Sequence, residues 1–444
     1  MKDLRIKVLK YIDDHESDLL GFLSKMISFN TGNPPGLELE AQDWLKEELH
    51  TFGFDIVDYW AVDQDKKRPN VVAVRKGSGG RGLIFNGHID VSPVSEEDSK
   101  KWSYGPWSAT VKDGKLYGRG STDMKGGLAS VIWSAKALID NGVRLKGDLI
   151  IESAVGEEWG QHQLGTTAIC QRGYRAPLAI VVEPTDCEIH AGQSGVIAWD
   201  IFVPGKATHV ANRNLTAFPQ RTGVAMGEEV GVDAFRKMMK IVRALDELEA
   251  QWIMRKRQGA WGSGGIPNHD LQGVGLFNNS IVAVEAGDFN VWAIAGHCRI
   301  RGTTYYPPWV TADDVKKEMW ATIESVGVSD DWIAKKIKEG TLTFNPNILC
   351  EWPPTSVPID HEGCKILYNA WKEAVGSATT YSGTRYVSDA SFLALQGIPT
   401  VIMGPGDINM GCHGMDEYVP IRDLLNCAKT FALTAIDWCG LSEK

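Results

Sequence analysis

Short runs of apolar, mostly β-branched residues recur along the chain, and helical patterns separate them. Four of these runs are VVAV at 71–74, GLIFNGHIDV at 82–91, DLIIESAV at 148–155 and LAIVVEP at 178–184. A helical pattern covers residues 125–141 between two of them. Runs that are apolar on both faces are typical of parallel strands covered by helices. The pattern therefore predicts an α/β fold with a mixed, mainly parallel sheet.

The pattern changes after Gly192. The segment GVIAWDIFVPG alternates with a period of two, as a half-buried antiparallel strand does. A long helical pattern from about 232 to 257 follows, and then a second alternating strand pair near 280–306. We therefore expect an α/β domain formed by 1–191 and 313–444, interrupted by a smaller α+β domain at 192–312.

The charge balance and the length of the apolar runs argue against two classes of partner. The 444 residues include 46 Lys and Arg against 56 Asp and Glu, a net charge of −10, so no nucleic-acid partner is expected. No apolar run approaches the ~20 residues that span a bilayer, so no membrane partner is expected. The N-terminus lacks the apolar stretch of a signal peptide. The eight cysteines contain no CxxC pair, which favours reduced thiols and a cytoplasmic location.

The first half of the chain contains three candidate site residues, one histidine and two acids, at a strand end and in a glycine-rich turn. His88 and Asp90 end the run GLIFNGHIDV, and their spacing puts both side chains on one face of an extended segment. Asp90 can then hold the imidazole of His88, as a carboxylate does behind a metal-bound histidine. Asp123 lies in GRGSTDMKGG, where the glycines indicate a tight turn and a close approach. Alternatively, these residues have only structural roles. His88 and Asp90 would then be a loop histidine and a capping acid, and Asp123 would be the N-cap of the following helix.

Further acids and a second histidine follow the later strands. Glu157 and Glu158 lie in GEEWG after an apolar strand, and two partly buried adjacent acids repel each other unless a cation lies beside them. Adjacent residues can also point different ways, which suits one metal ligand and one general base. Glu183 ends another apolar strand, where an unpaired carboxylate is costly to bury. His413 lies in the glycine-rich loop NMGCHGMDEYVP. Alternatively, Glu157 and Glu158 lie in an ordinary solvated turn, and His413 is a surface loop residue.

Together these positions form a set of ligands for two metal ions. Two imidazoles and three carboxylates suit Zn²⁺, Mn²⁺ or Co²⁺ better than Ca²⁺, which prefers oxygen alone. If Asp123 bridges, each metal receives one histidine, one glutamate and the bridge. Two metals about 3.5–4 Å apart can hold and acidify a water and polarise a carbonyl. We therefore expect two divalent ions per chain, zinc first and manganese or cobalt as alternatives, bound by His88, Asp123, Glu158, Glu183 and His413.

The order of these motifs resembles the M20 family of di-metal aminoacyl hydrolases. The segments are GHIDVSPV, KWSYGPWSATVKDGKLYGRGSTDMKGG, GEEWG, EPTD and GCHGMDEYVP, and they span almost the whole chain. The family includes acetylornithine deacetylases, succinyl-diaminopimelate desuccinylases, aminoacylases and glutamate-releasing carboxypeptidases. The resemblance implies a di-metal catalytic α/β domain interrupted by an α+β lid that usually dimerises. A homodimer joined through residues 192–312 is therefore expected.

The resemblance also implies a role for each candidate residue. His88, Asp123 and Glu183 would bind one metal, and Asp123, Glu158 and His413 the other, with Asp123 bridging. Glu157 would be the general base and Asp90 the carboxylate behind His88. His209, in GKATHV, would come from the lid and help to stabilise the oxyanion, often across the dimer. Without the family, His209 is more simply a surface residue.

The inserted domain departs from the family in its substrate contacts. Asn290 in NVWAIAGHCRIRGTTYYPP matches a substrate-binding asparagine of the family. Thr304 or Tyr305 stands where an arginine usually grips the substrate carboxylate. Arg299 and Arg301 lie nearby but out of register, and a slip by an odd number reverses the face of a strand. Residues 211–230 also resemble an insertion.

The expected activity is metal-dependent hydrolysis of an amide C–N bond in a small N-acyl amino acid or a related compound. The chain would be an amidohydrolase or deacylase in which a water, activated by Glu157, attacks the carbonyl carbon. A dipeptidase or carboxypeptidase is the second possibility. The third is hydrolysis of a non-peptide C–N bond in a substrate that lacks the usual carboxylate. A non-catalytic binding relative would be indicated by a missing ligand or base, and all of these residues are present.

Overall fold

The computed structural model describes residues 2–62, 67–212, 230–257, 278–288 and 290–442. Its described residues form two compact units, of which the first comprises 2–193 and 355–442 and the second 194–257 and 278–354, with the gaps just given. The expected insertion at 211–230 lies largely outside the described residues.

The helices in the described part of the chain are α1 (Lys2–Asp14), α2 (Glu16–Ser28), α3 (Leu39–Thr51), α4 (Glu96–Ser99), α5 (Lys125–Asp140), α6 (Thr166–Gln171), α7 (Ala234–Arg257), α8 (Ala312–Val326), α9 (Asp331–Lys338), α10 (Glu362–Val375), α11 (Ala390–Leu395) and α12 (Ile421–Cys439). Short 3₁₀ helices lie at Glu157–Trp159, Val210–Asn212 and Gly327–Ser329. No helix among the described residues has the length and apolar character needed to cross a membrane.

The strands are β1 (Ile56–Ala61), β2 (Pro69–Arg75), β3 (Leu83–His88), β4 (Thr110–Lys112), β5 (Lys115–Tyr117), β6 (Leu149–Ala154), β7 (Ala179–Val181), β8 (Ile189–Gln193), β9 (Gly195–Pro204), β10 (Asn278–Ala286), β11 (His297–Tyr306), β12 (Thr343–Asn345), β13 (Thr355–Ser356), β14 (Tyr381–Thr384), β15 (Thr400–Ile402) and β16 (Tyr418–Pro420). The second unit contains β9–β12 and α7–α9, and the first unit contains the other elements.

A nine-stranded sheet forms the centre of the first unit, in the order β1-β2-β6-β3-β7-β15-β8-β13 with β14 paired to β8. The pairs β6–β3, β3–β7 and β7–β15 are parallel. The pairs β1–β2 and β2–β6 are antiparallel. The sheet is therefore mixed with a parallel centre, which confirms the fold class predicted from the apolar runs.

Helices cover both faces of this sheet. Because successive residues of a strand point to opposite faces, one strand contacts helices on both sides. Phe85 of β3 packs against Phe431 of α12, with ring centroids 5.2 Å apart. The next residue, Asn86, donates a hydrogen bond of 2.9 Å to Thr166 in α6. Neighbouring side chains of one buried strand thus reach a different helix on each face.

A small three-stranded sheet, in the order β16-β5-β4, joins two distant parts of the first unit. Tyr418 of β16 pairs with Tyr117 of β5 in antiparallel register. The strand β5 leads into the loop that carries Asp123, and β16 follows the loop that carries His413. The pairing therefore brings these two loops together.

The second unit has its own four-stranded antiparallel sheet, in the order β10-β11-β9-β12. Alternate residues of β11 are buried, and Cys298 and Ile300 share one apolar core with Met238 and Ile241 of α7. The period of two in the sequence thus corresponds to a sheet with one face on a helix.

The second unit extends beyond the predicted end at residue 312 and reaches Pro354. Helix α8 packs against α7, and β12 pairs with β9 through Phe344 and Ile201. A helical pattern shows which face of a helix is apolar but not which core that face covers. The sequence pattern alone therefore does not assign α8, α9 and β12 to this unit.

Candidate metal centre

The candidate ligands gather at the carboxyl ends of the parallel strands. His88 is the last residue of β3, Glu157 and Glu158 follow β6, Glu183 follows β7, and His413 lies in the loop after β15. Open α/β sheets bind their ligands at this edge, because the strand ends and their loops converge there. The position of the cluster therefore follows from the order of parallel strands.

One group of ligand atoms comprises those of His88, Asp123 and Glu183, which lie within 4.8 Å of one another. The Nε2 atom of His88 is 3.4 Å from Oδ1 of Asp123 and 3.6 Å from Oε1 of Glu183. This Nε2 atom is buried and has no hydrogen-bond partner among the described residues. A buried nitrogen without a partner that faces two carboxylates suits a metal ligand.

A second group comprises Asp123, Glu158 and His413. The Nε2 atom of His413 is 3.3 Å from Oδ2 of Asp123 and 3.1 Å from Oε2 of Glu158. Asp123 faces each histidine with a different oxygen, so it belongs to both groups. Zinc bonds of about 2.0–2.2 Å in a tetrahedron imply ligand separations of roughly 3.3–3.6 Å. The observed separations are similar, and the residues present fit a pair of such ions.

The electrostatics of the cluster also favour cations. Burial raises the pKa of Glu157 well above its ordinary value and that of Glu183 to about 7. The carboxylates of Asp123 and Glu158 raise the pKa of His413 to about 11. Without metal, Glu157 and Glu183 thus resist ionisation and the imidazole of His413 retains a proton, as expected for an excess of buried negative charge. Divalent cations would neutralise that charge and replace those protons.

Glu157 and Glu158 point in different directions, although they are adjacent. Oε1 of Glu158 accepts a hydrogen bond of 2.8 Å from the backbone N–H of Ser92, while its Oε2 faces His413. Oε2 of Glu157 lies 3.7 Å from Nε2 of His88, and Glu157 belongs to neither ligand group. Gly156 precedes them with a φ of 87°, which favours glycine and turns the chain out of β6. The loop therefore presents one acid at the second group and one beside the first.

Asp90 lies behind His88, and its backbone makes the closer contact. Nδ1 of His88 is 2.8 Å from the backbone oxygen of Asp90 and 3.6 Å from its side-chain Oδ1. Because a carbonyl only accepts, Nδ1 carries the proton, and in the neutral ring Nε2 is the bare nitrogen. The Asp90 carboxylate itself accepts N–H donors from Asn33 (2.8 Å), Gly156 (3.0 Å) and Glu158 (3.2 Å).

The glycines after Asp123 allow the close approach expected from the sequence. A Cβ on Gly127 would lie 2.0 Å from the carbonyl oxygen of Val182, so only glycine lets α5 approach the end of β7 this closely. Helix α5 begins at Lys125, and its N-cap residue is Met124. Asp123 therefore precedes the cap and directs its carboxylate at the two histidines, not at the helix.

Glu417, which was not among the residues predicted from the sequence, holds the loop of Asp123. Its buried carboxylate accepts a hydrogen bond of 2.6 Å from Nη1 of Arg119. Three backbone N–H groups also donate to it, those of Gly120 (3.0 Å), Thr122 (2.9 Å) and Asp123 (3.0 Å). Arg119 donates in turn to a carbonyl in the loop of His413, at 2.8 Å. The sequence feature that could have indicated Glu417 is its position four residues after His413, in the same motif.

His209 and Asn290 lie in the second unit. His209 is exposed and forms an isolated β-bridge with Ala293, while the backbone oxygen of Asn290 accepts from the N–H of Ala293 at 3.1 Å. The two candidates therefore occupy one corner of this unit. That His209 and Asn290 act on a substrate at the metal ligands is a prediction from the family resemblance.

The arginines near the expected carboxylate-binding position are paired within the second unit. Arg299 and Arg301 place guanidinium nitrogens 3.3 and 3.4 Å from Oδ2 of Asp200. Thr304 is buried on the opposite face of β11, where it accepts from the indole N–H of Trp199 at 2.8 Å. An arginine on the face of Thr304 is therefore lacking among the described residues of β11.

Comparisons with known proteins agree with the resemblance. The model of the family described as peptidase family M20/M25/M40 matches residues 84–437. The N-formyl-4-amino-5-aminomethyl-2-methylpyrimidine deformylase of Halalkalibacterium halodurans is 32% identical over 448 residues, covering 98% of each chain. The fold is similar to that of human carnosine dipeptidase 1, with a TM-score of 0.70, 17% identity, and coverage of 98% of this chain and 99% of that chain. It is also similar to Bacillus subtilis YXEP, a dinuclear metal binding peptidase, with a TM-score of 0.59, 16% identity and coverage of 96% and 99%.

Proposed function

The chain belongs to peptidase family M20/M25/M40 and is a metal-dependent hydrolase of amide C–N bonds, and we propose that it removes the formyl group from a small N-formyl aminomethyl heterocycle. The observation that carries this proposal is the similarity to a deformylase of N-formyl-4-amino-5-aminomethyl-2-methylpyrimidine along 98% of both chains. The products would be formate and a free aminomethyl compound.

The second unit supports a substrate without a carboxylate. N-acyl amino acids and dipeptides carry a carboxylate, for which an unpaired arginine is the usual partner. Here Arg299 and Arg301 are both engaged by Asp200. An N-formyl aminomethyl pyrimidine has no carboxylate to bind. The third of the expected substrate classes is therefore preferred to the N-acyl amino acids and the dipeptides.

We propose that the two ligand groups hold two divalent ions. His88, Asp123 and Glu183 would bind one, and Asp123, Glu158 and His413 the other. Zinc is the first candidate, and manganese or cobalt are the alternatives, because mixed nitrogen and oxygen ligands suit all three. When bound, the ions supply Lewis acidity, which lowers the pKa of a water and polarises the amide carbonyl.

The chain itself moves the proton and orients the ligands. Glu157 accepts a proton from the water that adds to the formyl carbon, and delivers it to the amine nitrogen as the C–N bond breaks. Asp90 keeps the proton of His88 on Nδ1 through its backbone oxygen. His209 is proposed to stabilise the oxyanion and Asn290 to contact the substrate, as the family resemblance implies.

The substrate proposal is tested by comparing acyl groups on one amine. The metal-loaded protein is given the N-formyl and N-acetyl derivatives of the aminomethyl pyrimidine, together with N-acetyl and N-succinyl amino acids and dipeptides. We expect kcat/KM to favour formyl over acetyl by about 10–200-fold, the range for one added carbon in a tight site. Faster turnover of the amino acid derivatives or the dipeptides would overturn the proposal.

We also propose a homodimer joined through the second unit. The strand β10 lies at the edge of its sheet, and Val282 and Val284 on it are 66% and 59% exposed. A long exposed apolar edge strand favours pairing with another chain. Phe235 and Met239 of α7 are also exposed, which adds apolar surface to the same unit.

Sedimentation velocity at assay concentration should therefore show a dimer. The double variant Val282→Lys/Val284→Lys should sediment as a monomer, because two charges on the edge strand oppose pairing. Val328→Lys is the matched control, since Val328 is 92% exposed in the same unit but lies outside the strand. A wild-type chain that is a stable, active monomer would contradict the dimer.

The cysteines support a cytoplasmic location, which we include in the proposal. All eight are free thiols. Even Cys187 and Cys427, whose Sγ atoms lie 3.6 Å apart in the core, form no disulfide. Free thiols are the usual state in reducing compartments.

A further inference from the structure

A cavity of about 250 Å³ lies in the first unit next to the candidate metal centre. Its lining begins at Pro184, the residue that follows Glu183, and includes Tyr386. The Tyr386 hydroxyl donates to the backbone oxygen of Pro184. Tyr386 is half-buried and lies within the electrostatic reach of both Glu183 and Asp123. One wall of the cavity is therefore shared with the metal centre.

Acidic side chains dominate the lining. Three acidic residues, Asp186, Glu188 and Asp407, line the cavity, against one basic residue, Arg385. This excess of negative charge disfavours anions and favours neutral or cationic groups rich in N–H donors. The volume accommodates one six-membered ring with small substituents and is below the roughly 300–1,000 Å³ of pockets that hold whole ligands.

A buried histidine adds a hydrogen-bonding group to the lining of the cavity. His190 lines the cavity and is 8% exposed. Its Nδ1 is 2.8 Å from the hydroxyl of Thr384, and its Nε2 lies 3.6 Å from Oε2 of Glu188. Burial lowers the pKa of His190 to about 4. The ring is therefore neutral at pH 7 and can pair with a ring nitrogen or an amine.

We propose that this cavity binds the amino-substituted ring of the substrate, with Glu188 and Asp407 accepting its N–H groups and His190 pairing with a polar atom of the ring. The inference rests on the proposed deformylase function, because the aminomethyl linker places the ring one carbon from the amide nitrogen. With the formyl group at the metal centre, the ring must lie in a neighbouring space. The three side chains thus determine specificity and do not take part in bond cleavage.

Binding of ring fragments without an amide tests this assignment apart from catalysis. Ligand-observed NMR titration compares 4-amino-2-methylpyrimidine with 2,4-dimethylpyrimidine, in which a methyl group replaces the exocyclic amine. We expect the wild-type protein to bind the amino compound at least about tenfold more tightly, since hydrogen bonds to charged groups contribute that much. The double variant Glu188→Gln/Asp407→Asn should lose the preference. The control Glu40→Gln, which removes one exposed charge on α3, should retain it.

The outcomes separate this inference from the proposed function. Equal binding of the two fragments to the wild-type protein would overturn the assignment of the cavity, whether or not the variants fold. A double variant that keeps the preference would overturn it as well. Formate release from the N-formyl substrate by the same wild-type preparation tests the deformylase proposal alone. Fragment preference without formate release would overturn the deformylase proposal and support the cavity as a site for aminated rings.

Discussion

Replacing Glu157 by glutamine should lower kcat by roughly 10²–10⁴ while both metal ions stay bound, the range typical for loss of a general base. Glutamine keeps the shape of the side chain but cannot accept the proton of the attacking water. Glu157 belongs to neither ligand group, so its loss should not release metal. Steady-state kinetics and elemental analysis of the same sample measure the two effects.

The neighbouring acid supplies the matched control. Oε2 of Glu158 lies 3.1 Å from Nε2 of His413 within the second ligand group, so Glu158→Gln should lower metal occupancy. The two substitutions are chemically identical and adjacent, and only the proposed roles distinguish them. Near-normal kcat in Glu157→Gln with both metals bound would show that the proposed mechanism is wrong.

Replacing Asp123 by asparagine should remove both metal ions and lower kcat/KM by more than about 10²-fold. Asp123 presents Oδ1 to one group and Oδ2 to the other, so one substitution weakens both sites. Loss of a residue that merely orients a ligand already costs about 10–100-fold in affinity or activity. Glu183→Gln, in contrast, should release one ion and retain the other, because Glu183 belongs to one group only.

Elemental analysis after dialysis distinguishes these variants. Asp113→Asn is the control, because Asp113 is an exposed acid in the turn between β4 and β5 of the same unit. It should keep the wild-type metal content and activity. If Asp123→Asn retained two ions per chain, the shared carboxylate would have to be assigned elsewhere.

The fold class and the grouping of the candidate ligands could be anticipated for a geometric reason. Parallel strands end at one edge of a sheet, so His88, Glu158 and Glu183 at the ends of β3, β6 and β7 are brought to the same place by the topology alone. Asp123 and His413 could be added from their motifs, but the strand pairing of β5 with β16 that joins their loops has no signal in the sequence.

The hydrogen bonds that hold the ligand loops in place could not be predicted. The contact of Glu417 with the N–H of Asp123 joins residues 294 positions apart, and no local pattern indicates it. The spacing of His88 and Asp90 predicts a shared face, but not that the backbone oxygen of Asp90 would be the closer partner. The helix α8 is amphipathic in either domain, which is why its unit could be identified only from packing.

Metal titration of the chelator-treated protein tests the central claim most directly, namely that two ions held by the shared-carboxylate cluster drive amide hydrolysis. Activity and bound metal are measured on the same samples as Zn²⁺, Mn²⁺ or Co²⁺ is added. We expect no activity in the metal-free protein, and activity that returns as the metal content approaches about two ions per chain. Full activity with no bound metal would contradict it.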